Sequence, residues 1–249
     1  MPHRGGPAGA PARPGPIPAP GAAAGRFLAV EGIDAAGKSS VAADLARVLA
    51  AEGESPVLVD RRTVPGLVRG YPARHLAGLA ALIWDYPAGA RTSELGFAHW
   101  SHLLAAWFHA VDELVVRPAV AAGRCVVADS WAAKYTARFA LGAGLARARE
   151  VFAGVSVPDE VIWLDVPPEV CVGRRRGLRA TERGEWQGLD AADDGYLAYQ
   201  GAVREVYRQL AAAGGWRVLP ALDPAALRAE LARGLAGRDA PTAERGGRR

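Results

Sequence analysis

Residues 26–40 read Arg26-Phe27-Leu28-Ala29-Val30-Glu31-Gly32-Ile33-Asp34-Ala35-Ala36-Gly37-Lys38-Ser39-Ser40. A short apolar run ends at Glu31, and the next eight residues, Gly32 to Ser39, satisfy G-x-x-x-x-G-K-[ST] in full. Beyond them, Val41, Leu45, Val48 and Leu49 recur at helical spacing before Gly53. Strand, glycine-bounded loop and helix in that order are the context in which this motif holds phosphate. Small residues let backbone N–H groups turn inward, and a helix N-terminus adds partial positive charge. The loop Gly32, Ile33, Asp34, Ala35, Ala36, Gly37, Lys38, Ser39 and Ser40 is therefore expected to hold a polyphosphate. Lys38 would reach the outer phosphates and the Ser39 hydroxyl would ligate Mg²⁺.

Working outward, Pro56–Asp60 (PVLVD), Cys125–Asp129 (CVVAD) and Val161–Asp165 (VIWLD) repeat the first run's type, and Trp216–Leu219 (WRVL) is a weaker fifth. With helical segments between them, these runs predict a five-stranded parallel sheet covered by helices on both faces, an α/β domain. Two long amphipathic helices are readable, one from Trp100, Leu103, Leu104, Trp107, Val111, Leu114 and Val115, the other from Tyr196, Tyr199, Val203, Tyr207 and Leu210. Ligands of such sheets bind beyond the carboxyl ends of the strands, which turns attention to Asp129. A strand-ending aspartate beside a phosphate loop orients the metal or its waters, and its alternative role is to cap the following helix.

Composition narrows the rest. Residues 1–25 are almost wholly Ala, Gly and Pro, with Arg4 and Arg13 as their charges, and residues 237–249 are a basic run. Both are expected to be disordered tails around a domain at 26–236. The tails carry most of the formal +4 charge, so the domain itself is expected to bind neither nucleic acid nor, lacking any long apolar stretch, a membrane. Two cysteines, each within an apolar segment, fit a reducing, cytoplasmic setting. Lysine is nearly absent among thirty basic residues, so Lys38 and Lys134 are both candidates for function. The run RRRGLRATER (174–183) opens a stretch of about 174–187 expected to act as an arginine-rich lid that brings charge to a transferring phosphoryl group and excludes water. Phe97, Trp100, Trp107, Phe108 and Trp131 offer flat faces for a base, although core packing is the preferred role for Trp107.

From about Arg26 to Leu219 the chain resembles the thymidylate kinase family. FLAVEGIDAAGKSS is similar to that family's first strand and phosphate loop, VVRPAVAAGRCVVAD to its central helix and third strand, VIWLDVPPEVCVGRRRG to its fourth strand and entry to the lid, and YQGAVREVYRQLA to the helix after the lid. The resemblance implies a P-loop kinase fold, ATP and Mg²⁺, a nucleoside 5′-monophosphate as acceptor with dTMP first, and a homodimer. It places Asp34 near the acceptor's sugar. Because Ala35 stands where one subclass has an arginine, the catalytic arginine is sought in the lid, at Arg174, Arg176 or Arg179. The chain departs from the family twice. Ser130 and Trp131 follow Asp129 where the family has Arg and an aromatic, and Lys134 is expected to supply the missing charge. Phe108 stands where the family's acceptor-binding arginine falls. Arg61, Arg62 and Arg69 are expected to hold the acceptor phosphate, with Trp131 also near the acceptor. An acceptor other than dTMP, including a small metabolite, and a non-catalytic ATP-binding protein are the alternative readings.

Overall fold

A computed structural model describes residues 25–87, 90–174, 184, 193–220, 226, 229 and 230. Residues 1–24, the C-terminal tail and all of the expected lid except Arg174 and Gly184, including Arg176 and Arg179, lie outside the described residues.

Strand β1 (Phe27–Gly32) is buried along its whole length and sends side chains alternately to two cores. Leu28 and Val30 face α1 (Lys38–Ala51), whose Val41, Leu45 and Leu49 meet them, while Phe27 and Ala29 face the other side. That double burial is why the run is apolar without alternation. Four further strands, β2 (Val57–Val59), β3 (Val126–Asp129), β4 (Glu160–Asp165) and β5 (Arg217–Pro220), complete one sheet in the order β2-β3-β1-β4-β5. Every pairing is parallel, so the expected five-stranded α/β sheet is present. The chain crosses to one side of β1 for β2 and β3 and to the other for β4 and β5. The loop after β1 thus sits where the winding reverses, the position at which such sheets open a crevice.

Helices α2 (Val64–Leu67), α3 (Tyr71–Trp84) and α4 (Gly96–Val111) follow β2. The stripe expected to be one long helix through Val115 instead ends as α helix at Val111 and continues as a π turn over Asp112–Val116 into α5 (Arg117–Ala121). Pro118 lacks the N–H that would bond four residues back, and the wide turn accommodates this loss. It also leaves Leu114 exposed while Val115 and Val116 are buried. The buried Asp112 carboxylate inside this turn accepts bonds from Arg117 Nε at 2.9 Å and the Ser156 N–H at 3.0 Å, tying α5 to the segment before β4. After β3 come α6 (Ala132–Ala143) and α7 (Leu145–Glu150). Helix α8 (Pro168–Val172) follows β4, and α9 (Asp193–Gly214) packs Tyr196, Tyr199, Val203 and Tyr207 into the α1 core. Among the described residues no helix is long and apolar enough to cross a membrane.

Candidate active site

Gly32 closes β1 with φ +151°, and a Cβ there would lie 3.0 Å from the Leu164 carbonyl oxygen of β4. The loop therefore leaves the sheet through a gap that only glycine fits. Gly37, at φ 104°, turns it into α1, which begins at Lys38 with no side chain capping its first turn. The first N–H groups of this helix thus have no intrahelical or side-chain acceptor, a ready anion cradle. Lys38 is 92% buried, by its exposure of 8%, and donates to the Ile33 carbonyl at 2.7 Å. Burial and then the Lys134 charge push its ammonium down to about 8, against the pull of Asp34, Asp129 and Glu31. A bound polyanion would offset that depression with its own negative charge.

Asp34, buried in the same loop, is gripped from two helices. Lys134 of α6 stands 3.2 Å from Oδ1, and Arg138, one turn further along α6, donates to Oδ2. From α9, Gln200 Nε2 donates to Oδ2 at 3.2 Å while its Oε1 accepts the Asp34 N–H at 3.3 Å, and the Tyr196 hydroxyl donates to the Asp34 carbonyl at 3.2 Å. Burial alone would raise this carboxyl, but Arg138, Lys134 and Lys38 hold it well below the usual range. Glu31 lies on β1 behind the loop and is fully buried. It accepts from the Trp131 N–H at 2.7 Å and the Tyr207 hydroxyl at 2.9 Å. Burial pushes it up to about 7 despite those bonds and the charges of Lys38 and Lys134.

A cavity of about 480 Å³ opens over these residues. It is lined by the phosphate loop, with Lys38, Ser39 and Ser40, by the β3 terminus at Asp129, and by an aromatic wall of Trp84, Tyr86, Trp107, Phe108, Trp131 and Tyr135. Lys134 and Arg138 line the space as well, together with Arg61 and Arg62 of the segment after β2 and Arg174 after α8. Arg174 donates from Nη1 to the Ala36 carbonyl at 3.3 Å, so the chain just after α8 rests on the phosphate loop. Gly32, Ile33 and Ala36 lie behind the surface as supports, and Arg69 is exposed but does not line the cavity. Trp107 is both 4% exposed in the core and part of the wall. Lys134 thus reaches the phosphate loop, through Asp34.

Arg138, Glu31, Gln200, Trp84, Tyr86 and Tyr135 are site residues that sequence reading did not single out. Arg138 follows Lys134 by four residues, a same-face spacing, but in an arginine-rich chain nothing distinguished it. Gln200 and Glu31 carried no local signal, because their partners are more than 90 residues away.

No protein-family model matches the chain. It is 36% identical over 179 residues to a thymidylate kinase of Cereibacter sphaeroides, an alignment covering 68% of this chain and 76% of that protein. Over 211 residues it is 32% identical to a thymidylate kinase of Synechococcus sp. (strain WH7803), with 79% and 88% covered. A thymidylate kinase of Idiomarina loihiensis is 30% identical over 197 residues, with 76% and 84% covered.

Proposed function

Because the chain belongs to the thymidylate kinase family, we propose that it transfers the terminal phosphoryl group of ATP to a nucleoside 5′-monophosphate, with dTMP to dTDP as the leading reaction. The observation that carries this reading is a cavity lined both by the phosphate loop, with Lys38 and the uncapped start of α1, and by an aromatic wall, with Lys134 and Arg138 pairing with Asp34 of the loop and lying 5.9 and 5.7 Å from the Tyr135 ring centroid. Donor phosphates fit the loop side. There the α1 N–H groups and Lys38 bind oxygens whose negative charge shifts during transfer, so these groups lower the barrier without rearranging.

The exposed Ser39 hydroxyl and Asp129, both on the cavity wall, suit Mg²⁺, a cation that takes one or two protein oxygens and keeps its waters. When bound, the ion neutralises phosphate charge and orients the transfer. Lys134 holds one oxygen of Asp34 and has two further N–H donors, which serve the acceptor phosphate or the transferring group in place of the arginine that Ser130 replaces. Arg61 and Arg62 supply charge for the acceptor phosphate, and Trp131 shapes the acceptor wall. Arg174 is the described candidate for the lid's catalytic arginine, with Arg176 and Arg179 proposed alongside it.

The test is ADP release from Mg-ATP against dTMP, dUMP, other nucleoside monophosphates and their parent nucleosides. Wild type is expected to turn over dTMP. Lys38→Ala, folded by circular dichroism, is expected to lose kcat by at least about 10³-fold, and Lys134→Ala to lose at least about tenfold. Unchanged turnover in Lys134→Ala sinks its assigned role. Tight ATP binding without turnover on any acceptor sinks the reaction itself in favour of a non-catalytic protein. A different acceptor is the second reading, favoured by Phe108 standing in the acceptor wall.

A further inference from the structure

Trp131 reaches the cavity through a turn held under strain. Among the described residues, Ala35 and Ser130 are the two with positive φ that are not glycine, at 63° and 58°, and both line the cavity. Strained backbone of this kind persists where its surroundings over-determine it. At Ser130 the restraint comes from β1. The Ser130 N–H donates to the Val30 carbonyl at 3.1 Å, and the Trp131 N–H donates to Oε1 of Glu31 at 2.7 Å. The first bond extends the β1–β3 pairing, in which Asp129 lies opposite Val30. The second joins a side chain of β1 to the N-cap residue of α6, a helix start with no side-chain cap of its own. In a capping box the third helical residue accepts the N-cap N–H. Here that position is Lys134, which has no acceptor to offer, and Glu31 takes its place from the neighbouring strand. The Tyr207 hydroxyl of α9, donating to Oε2 at 2.9 Å, fixes the carboxylate for this task.

We infer that Glu31 is a positioning residue for the acceptor side of the site: from behind the cavity it fixes where α6 begins, and with it where Trp131 and Lys134 stand. The inference rests on the reading of those two residues as serving a nucleotide acceptor. Glu31 is fully buried and is not part of the cavity lining, so it acts through the turn. Two effects act together once its oxygen is removed. The Trp131 N–H is left without its acceptor, a costly state for a buried donor, and the water of the cavity offers it a partner. A change of backbone there also releases Ser130 from a left-handed conformation that side chains other than glycine tolerate poorly. The indole is braced separately, by the Ser156 carbonyl at 2.8 Å and by the rings of Phe27 and Phe108 at 5.1 Å, and these contacts leave the backbone restraint to Glu31. The Trp131 carbonyl accepts the Lys134 N–H at 3.2 Å, so a displaced turn passes directly to Lys134. The donor side is insulated. Asp129 keeps its place opposite Val30, and Asp34 keeps its bonds from Gln200 and Tyr196.

The experiment compares Glu31→Met, which keeps the length of the side chain without a strong acceptor, with Glu31→Gln, whose amide oxygen still accepts the Trp131 N–H. Affinities for dTMP and for Mg-ATP are measured by calorimetry, and the two KM values by ADP release. In Glu31→Met the Kd and KM for dTMP are expected to rise at least about tenfold, with the values for Mg-ATP within about threefold of wild type. Glu31→Gln is expected to stay within about threefold of wild type for both substrates. Equal losses on the two substrates, an unchanged dTMP affinity in folded Glu31→Met, or a Glu31→Gln as impaired as Glu31→Met each overturn the inference. Should Glu31→Met fail to fold, hydrogen exchange at the Trp131 amide decides. In wild type and in Glu31→Gln it is expected to be slowed at least about 10³-fold relative to the unfolded chain, and exchange within about tenfold of the unfolded rate in either protein overturns the inference. Where wild type binds dTMP without turnover, the affinities carry the same comparison: the phosphoryl-transfer reading then fails while this one is still decided. A wild type that binds no nucleoside monophosphate overturns both.

Discussion

At the scale of single residues, the site is governed by how buried charges neutralise one another. Asp34 presents both oxygens to cations of α6, so in this state it organises Lys134 and Arg138. Breaking such a buried set by removing one partner leaves an uncompensated charge. Lys38 is the opposite case, a buried cation held down to about 8 by burial and by Lys134, and only partly offset by its acidic neighbours. A polyphosphate favours the charged ammonium, so its binding raises this pKa again and takes up a proton at alkaline pH. The sign follows: below about 8 the lysine is already charged and affinity is flat. Above it, affinity falls by up to tenfold per pH unit until the pKa of the bound state is reached. The Kd for Mg-ATP, measured from pH 7 to 10, is expected to rise in that pattern. Lys38→Arg, whose guanidinium does not titrate here, is expected to flatten the profile; a flat wild-type profile would refute the account.

At the scale of elements, helices α6 and α9 meet on one loop residue, and this convergence fixes the phosphate loop. Gln200 bonds both the backbone N–H and the carboxylate of Asp34, while Tyr196 one turn earlier takes its carbonyl. In Gln200→Leu the Asp34 N–H is left buried without its acceptor, at a cost of about 1–3 kcal/mol. The expected result is a lower urea midpoint with an unchanged m-value, together with weaker Mg-ATP binding. A variant as stable as wild type would show that the Gln200 bonds are dispensable. The same elements mark what the sequence made legible. The strands and the phosphate loop were readable because their signal is local: buried apolar runs, a glycine-bounded motif, and an apolar helical face directly after it. The π turn before Pro118 was not, since apolar spacing through Val115 imitates one continuous helix. The grip on Asp34 was not readable either, because Gln200 and Tyr196 reach it from 166 and 162 residues away. Long-range polar contacts between otherwise ordinary residues leave no periodicity to detect.

At the scale of the molecule, stability as a function of pH joins these features, since the two buried carboxyls of the β1 segment act in opposite directions. Asp34 is held well below its usual 3.8, so its contribution is complete above that value and is lost as pH falls through the folded-state pKa. Glu31 moves the other way, from 4.5 up to about 7, chiefly by burial. The folded protein binds that proton more tightly than the unfolded chain, so its contribution is complete below about 4.5 and is lost as pH rises towards 7. The charge of the chain as a whole is a small +4, borne mostly by the segments outside the described residues, so general charge repulsion is a weak competitor to these two groups. Glu31→Gln isolates the second. The amide oxygen still accepts the Trp131 N–H, and the Tyr207 hydroxyl rotates to accept from the amide nitrogen. Subtracting the variant's unfolding free energy from that of wild type at each pH is expected to give a difference that is level below about 4.5. It should then fall towards pH 7 with a slope of up to about 1.4 kcal/mol per unit and level off again. Two parallel stability curves across that window would mean that Glu31 is ionised in the folded protein at acid pH, with Trp131 and Tyr207 overcoming its burial.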